Sequence, residues 1–225
     1  MNAARIWREV ATVMLLTLTG LVLGAMTGWI AASPIVGTVF GLAGATWFLR
    51  RQGTSWRDLG FAQSMRLRAL LGYTAFTLVA VFVATTFVVT PVLQELGAEP
   101  LDMTVLQSAV EGNLVNYLIF LIPISWGSAA FGEELLARGF IQHRFTQLAG
   151  RHVGVTLQAA VFAMGHFYQG VMGVANIFVL ALIFGLVYDR CGRNLWPLIV
   201  AHGITDTIGI TALYLGQVDL LTGSG

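Results

Sequence analysis

The 225-residue chain contains no lysine: all twelve of its basic residues are arginines, set against 11 acids for a formal net charge of +1. Charge of either sign is scarce. Charged residues make up 10% of the sequence, against about 25% in water-soluble domains, while 56% is apolar and the mean hydropathy is +0.78. A water-soluble globular fold is excluded on that ground, and the near-zero sum gives no basic field to gather nucleic acid. The single cysteine, Cys191, cannot close an internal disulfide, and no Cys-x-x-Cys or Cys/His cluster offers a structural zinc site. The amino terminus reads as a membrane anchor and not as a cleavable leader, because Arg5 and Arg8 precede 40 uncharged residues from Val10 to Leu49, far beyond a signal core of ~7–15 residues.

What is present is a set of long apolar runs. A spanning helix needs about 20 such residues, so Val10–Leu49 holds two spans turned at Ser33-Pro34. Ala69–Gln94 gives a third and Gly112–Gly132 a fourth. His152–Tyr188 requires two more, broken at Tyr168-Gln169-Gly170, and Asn194–Val218 gives another, interrupted by Asp206. The expected fold is an all-α polytopic membrane bundle of about seven spans, with six to eight compatible with the pattern. It divides into transmembrane helices over 1–110, a second helical portion over 111–218 that holds the intramembrane ionisable groups, and a short tail over 219–225. No internal repeat is visible.

Cytoplasmic loops collect basic residues, and alternating the loops along the chain puts all twelve arginines on one side. Glu95, Glu99, Asp102, Glu111 and Asp219 fall on the other. The amino terminus is therefore expected inside and the carboxyl terminus outside.

Ionisable groups within the bilayer cost at least about 2.5–3.5 kcal/mol each and usually face a partner, a cavity or a reaction. Here they are Glu133, Glu134 and Arg138 at the cytoplasmic approach of the fourth span, His166 in the fifth, and His202 and Asp206 in the seventh. Glu134 and Arg138, four apart, share a helix face and can pair. Glu133 then has no local counter-ion, which leaves it as the candidate base to take a proton from water. The competing reading is that both glutamates fix a helix end through ion pairs with cytoplasmic arginines. Phe162 and His166 share a face at the same spacing, as do His202 and Asp206, where the carboxylate can fix the imidazole tautomer; a satisfied core histidine or a helix-stapling hydrogen bond would look alike. His143 and His152 read as solvated loop residues, the tryptophans mostly as interfacial anchors and the 26 glycines as permitting close helix packing.

Taken together, Glu133-Glu134-Leu-Leu-Ala-Arg138, Phe162-Ala-Met-Gly-His166 and His202-Gly-Ile-Thr-Asp206 resemble, in order, the motifs of the CAAX prenyl protease and bacteriocin-processing (CPBP, or Abi) intramembrane proteases, relatives of the eukaryotic Ras-converting enzyme. The resemblance covers roughly 113–215, and Asp58-Leu59-Gly60-Phe61 is similar to a short segment often found upstream. It implies an endopeptidase in which Glu133 activates water, His166 positions that water, His202 with position 206 stabilises the oxyanion, and Glu134 and Arg138 hold the site. Many members of the family carry Asn at the position of Asp206. An ionised Asp can only accept hydrogen bonds, so Asp206 must either be protonated or serve only to orient His202.

No cofactor is expected. Two histidines with two or three carboxylates would also suit a divalent metal, a lesser alternative because His-Glu-x-x-His is absent. The expected partners are membrane lipid and a membrane-associated peptide or protein, prenylated CAAX-type or otherwise, with no nucleic acid; the expected location is a bacterial inner membrane. Two rival functions remain at this point: a non-catalytic immunity or peptide-binding protein of the same fold, and a proton-coupled transporter using Glu133, His166, His202 and Asp206 as a relay.

Overall fold

The computed structural model describes residues 2–217, and these form helices and turns with no β-strand among them. The proposed tail over 219–225, with Asp219, and the end of the last expected span at Val218 lie outside the described residues. Helices α1 (Ala3–Ala25) and α2 (Ala32–Arg51) make an antiparallel hairpin. Their backbones touch: a Cβ on Gly20 would stand 2.6 Å from the Val36 carbonyl oxygen, and one on Gly24 2.6 Å from the Ser33 Cα. Small residues permit this approach in membranes. The turn falls over 26–31 and not at Ser33-Pro34, which form the first turn of α2; there the missing proline N–H is one the helix leaves unpaired anyway.

Helix α3 (Leu67–Glu95) follows, then the short α4 (Thr104–Val110), α5 (Leu114–Ala149), α6 (Arg151–Met164), α7 (Gly170–Arg190) behind a single tight turn at Phe167–Gln169, and α8 (Trp196–Tyr214). The chain is thus an all-α polytopic bundle. Among the described residues, α1, α2, α3, α5 and α7 with its preceding turn are long and apolar enough to cross a membrane. The helices at the fifth and seventh expected positions differ. With 14 residues, α6 reaches only about 21 Å at the α-helical rise, short of the ~30 Å hydrocarbon core. Helix α8 has 19 residues but carries His202, Thr205, Asp206, Thr207 and Thr211.

The largest departure from the sequence reading is α5. Expected to end at Gly132, it continues through both glutamates for 36 residues in all. Arg138 and Arg144 accordingly lie inside a helix and are buried, and His143 is a half-buried helical residue, whereas His152 is exposed. Wide i→i+5 turns occupy Phe120–Glu133 and Leu135–Gln142, a rare geometry often found at functional sites; Pro123, with no N–H to give, sits in the first stretch. Helix α5 packs on α2, α6 and α8. On the α2 side, the Thr38 and Ser128 hydroxyls are 2.7 Å apart and Ser128 donates to the Pro34 carbonyl at 2.9 Å.

The arginine-bearing helix ends meet at one end of the bundle. Buried Glu9 of α1 accepts from Arg144 of α5 at 2.9 Å, from Arg5 at 2.8 Å and from Gln52, just past α2, at 3.0 Å. Arg151 at the start of α6 pairs with Asp189 near the end of α7 at 2.9 Å. Tyr188 of α7 donates to the Leu59 carbonyl at 2.8 Å, and the Leu195 N–H donates to that of Gly60 at 3.3 Å. Large apolar side chains such as Leu15, Val22, Phe76, Phe82 and Phe87 point outward, as a lipid-facing surface requires.

Candidate active site

The frame of the site is a buried ion pair within α5. Glu134 and Arg138 are both 0% exposed, and Arg138 Nη1 donates to Glu134 Oε1 at 2.8 Å, as their spacing predicts. The guanidinium carbon stands 4.9 Å from the ring centre of Phe162 on α6 and 5.0 Å from that of Phe184 on α7. Stacking on aromatic faces suits an arginine held away from water. Four helices therefore close around one cation, counting α8, which brings His202.

His202 is buried, and its Nδ1 lies 2.9 Å from the same Glu134 Oε1. Because a carboxylate only accepts, Nδ1 carries the hydrogen. Nε2 then faces Asp206, whose Oδ1 is 3.7 Å away. The sequence reading assigned the orientation of His202 to Asp206 four residues on; in the structure Glu134, on another helix, makes the closer contact. Helix α8 can approach α5 this closely because position 203 is glycine: a Cβ there would stand 2.6 Å from the Trp126 indole. Trp126 is not at a span end but within α5, where its Nε1 donates to the Thr207 hydroxyl at 3.1 Å.

His166 lies just past the end of α6, in the turn before α7, and not inside a span. Its Nδ1 is 3.0 Å from the Phe162 carbonyl oxygen, and its ring is 5.0 Å from the Phe162 ring. Nδ1 must donate to that carbonyl, which leaves Nε2 as an acceptor in the neutral imidazole. Because α5 runs 11 residues beyond Arg138, α6 returns alongside it, puts Phe162 over Arg138 and sets His166 one turn further on.

Glu133 is half-buried and makes no hydrogen bond or ion pair among the described residues. Next to Glu134 in the chain and on the same helix, it borders the same cluster. The two adjacent glutamates are in opposite circumstances: one sealed and doubly paired, one open. Among the described residues, no group of three or more His, Cys, Asp and Glu side chains is arranged to hold a metal ion.

Sequence reasoning missed Phe184, Trp126 and Tyr168, which come from tertiary packing, and the buried Glu9. A signal for Glu9 did exist, since it is the one acid in the arginine-bearing first eleven residues.

Comparison with curated proteins and with solved structures returned no match. Residues 114–208 match the model of the Rce1-like family, described as type II CAAX prenyl endopeptidase Rce1-like, and that stretch contains all three motifs. The segment that builds the Glu134–Arg138–His202 frame therefore lies within the stretch that is similar to this family.

Proposed function

We propose that the protein is an intramembrane endopeptidase that hydrolyses a peptide bond with a water activated by Glu133. The observation that carries this reading is the contrast between the glutamates. Glu134 spends its charge on Arg138 and His202, whereas Glu133 has no partner among the described residues and remains free to take a proton.

A water between Glu133 and His166 would give one hydrogen to the carboxylate and the other to His166 Nε2. As its oxygen bonds to the peptide carbonyl carbon, Glu133 takes the proton and the carbonyl electrons move to oxygen. His202 Nε2, when protonated, donates to that oxyanion, with Glu134 holding the ring at Nδ1 and Asp206 facing Nε2. Collapse of the intermediate breaks the C–N bond, and Glu133 returns its proton to the leaving amine. Each role falls to a side chain of this chain and no cofactor enters.

The substrate class proposed is a membrane-associated peptide with a prenylated carboxyl-terminal CAAX sequence. An apolar groove of about 360 Å³ between α6 and α7, lined by Ala160, Ala163, Met164, Phe167 and Val171 among others, takes in the residue that follows His166 in the chain and suits a lipid-modified chain. The site would face the cytoplasm of a bacterium, with the arginine-bearing end inside.

The test is cleavage of a fluorogenic peptide ending in a farnesylated CAAX sequence by purified protein, with products identified by mass spectrometry. Wild type should release the carboxyl-terminal tripeptide. Glu133→Gln should remain folded and lose about 10²–10⁴-fold in kcat, the usual contribution of a general base. Turnover by Glu133→Gln equal to wild type would sink the assignment and favour a non-catalytic peptide-binding role.

A further inference from the structure

The site is rich in acceptors and poor in donors. Glu133, Asp206, Glu134 Oε2 and the Nε2 lone pair of His166 all accept. Arg138 is sealed beneath Phe162 and Phe184. That leaves His202 Nε2, which has Asp206 Oδ1 3.7 Å away to compete for its hydrogen. A tetrahedral oxyanion among so many carboxylates needs a further donor.

Tyr168 is placed to supply it. Its ring stands 6.1 Å from the His166 imidazole with only 28° between the planes, which puts it beside the histidine that positions the water in the proposed reaction. The residue is 80% exposed, so an arriving peptide can reach it. Gln169 Nε2 donates to Tyr168 Oη at 3.1 Å, which fills one acceptor position on the oxygen and leaves the phenolic hydrogen to be given elsewhere. The backbone is shaped for this arrangement. Gly170 closes the turn at φ 72° and ψ −174°, a conformation that glycine adopts freely and other residues do not. Gly173 leaves room for the Gln169 side chain, with which any Cβ at that position would collide.

We propose that the Tyr168 hydroxyl, polarised by Gln169, is the second hydrogen-bond donor to the oxyanion formed during peptide hydrolysis. This rests on the endopeptidase reading. A tyrosine that merely anchors the turn at the bilayer surface would depend on its ring more than on its hydroxyl, and the two roles separate in kinetics. On the farnesylated CAAX peptide, Tyr168→Phe should lower kcat by about 10²–10³-fold, the cost of removing one oxyanion donor, with KM unchanged. A peptide aldehyde, whose hydrate mimics the tetrahedral species, should lose affinity in step with kcat while substrate affinity holds. Gln169→Ala should show a smaller fall in kcat of the same kind. Glu133→Gln, run alongside, separates the two claims. If it is inactive while Tyr168→Phe turns over like wild type, or if Tyr168→Phe raises KM alone, the role of Tyr168 is overturned and the endopeptidase reading stands. If Glu133→Gln retains wild-type turnover, or wild type does not cleave the peptide, both fall.

Discussion

At the scale of single residues, the chemistry depends on how two neighbouring carboxylates differ. Glu134 and Arg138 are fully buried, so neither charge is tolerable without the other. Arg138→Met should destabilise the fold by about 3–5 kcal/mol, the cost of leaving one buried charge uncompensated, read as a lower denaturation midpoint in detergent. Combining it with Glu134→Gln should restore part of the loss; a single mutant as stable as wild type would mean that the pair is not the frame of the site. The Glu134–Arg138 contact was legible from its spacing of four residues. The contact of Glu134 with His202 was not, because no local periodicity relates residues 68 apart.

At the scale of helices, the sequence misplaced the end of α5 for a physical reason. Charges at positions 133, 134 and 138 look like the edge of a membrane when taken one at a time, yet Glu134 and Arg138 cancel inside the protein and the helix runs on to Ala149. The break at Tyr168-Gln169-Gly170 was legible because Gly170 offers the positive φ that the turn uses. The close contact of α5 with α8 was only partly legible: a glycine beside His202 signals a near neighbour without naming Trp126. Gly203→Ala should therefore push α8 from α5, shift His202 off Glu134 and lower kcat more than it lowers stability, for which overpacking costs about 1–3 kcal/mol. Measuring turnover and thermal midpoint on the same preparation checks this, and unchanged turnover would contradict it.

At the scale of the whole molecule, alternating the loops puts all twelve arginines on one side; the structure joins arginine-bearing helix ends through Glu9–Arg144 and Arg151–Asp189 but holds Arg138 in the interior. The one-sided placement rests on alternate loops lying on alternate faces, a rule that cannot foresee an arginine buried by a partner such as Glu134. Its absolute direction follows from the positive-inside rule, and a reporter fused after residue 225 should be active only in its extracytoplasmic form; activity of a cytoplasmic reporter there would reverse the topology. The same folding places one open glutamate and one sealed one in a single cluster, and the proposed mechanism rests on that division of labour. It is tested most directly by measuring kcat and thermal midpoint for Glu133→Gln and Glu134→Gln side by side. The account predicts that Glu133→Gln loses about 10²–10⁴-fold in turnover at an unchanged midpoint, while Glu134→Gln melts lower. Wild-type turnover by Glu133→Gln, or a loss of activity there that merely follows a loss of stability, would contradict it.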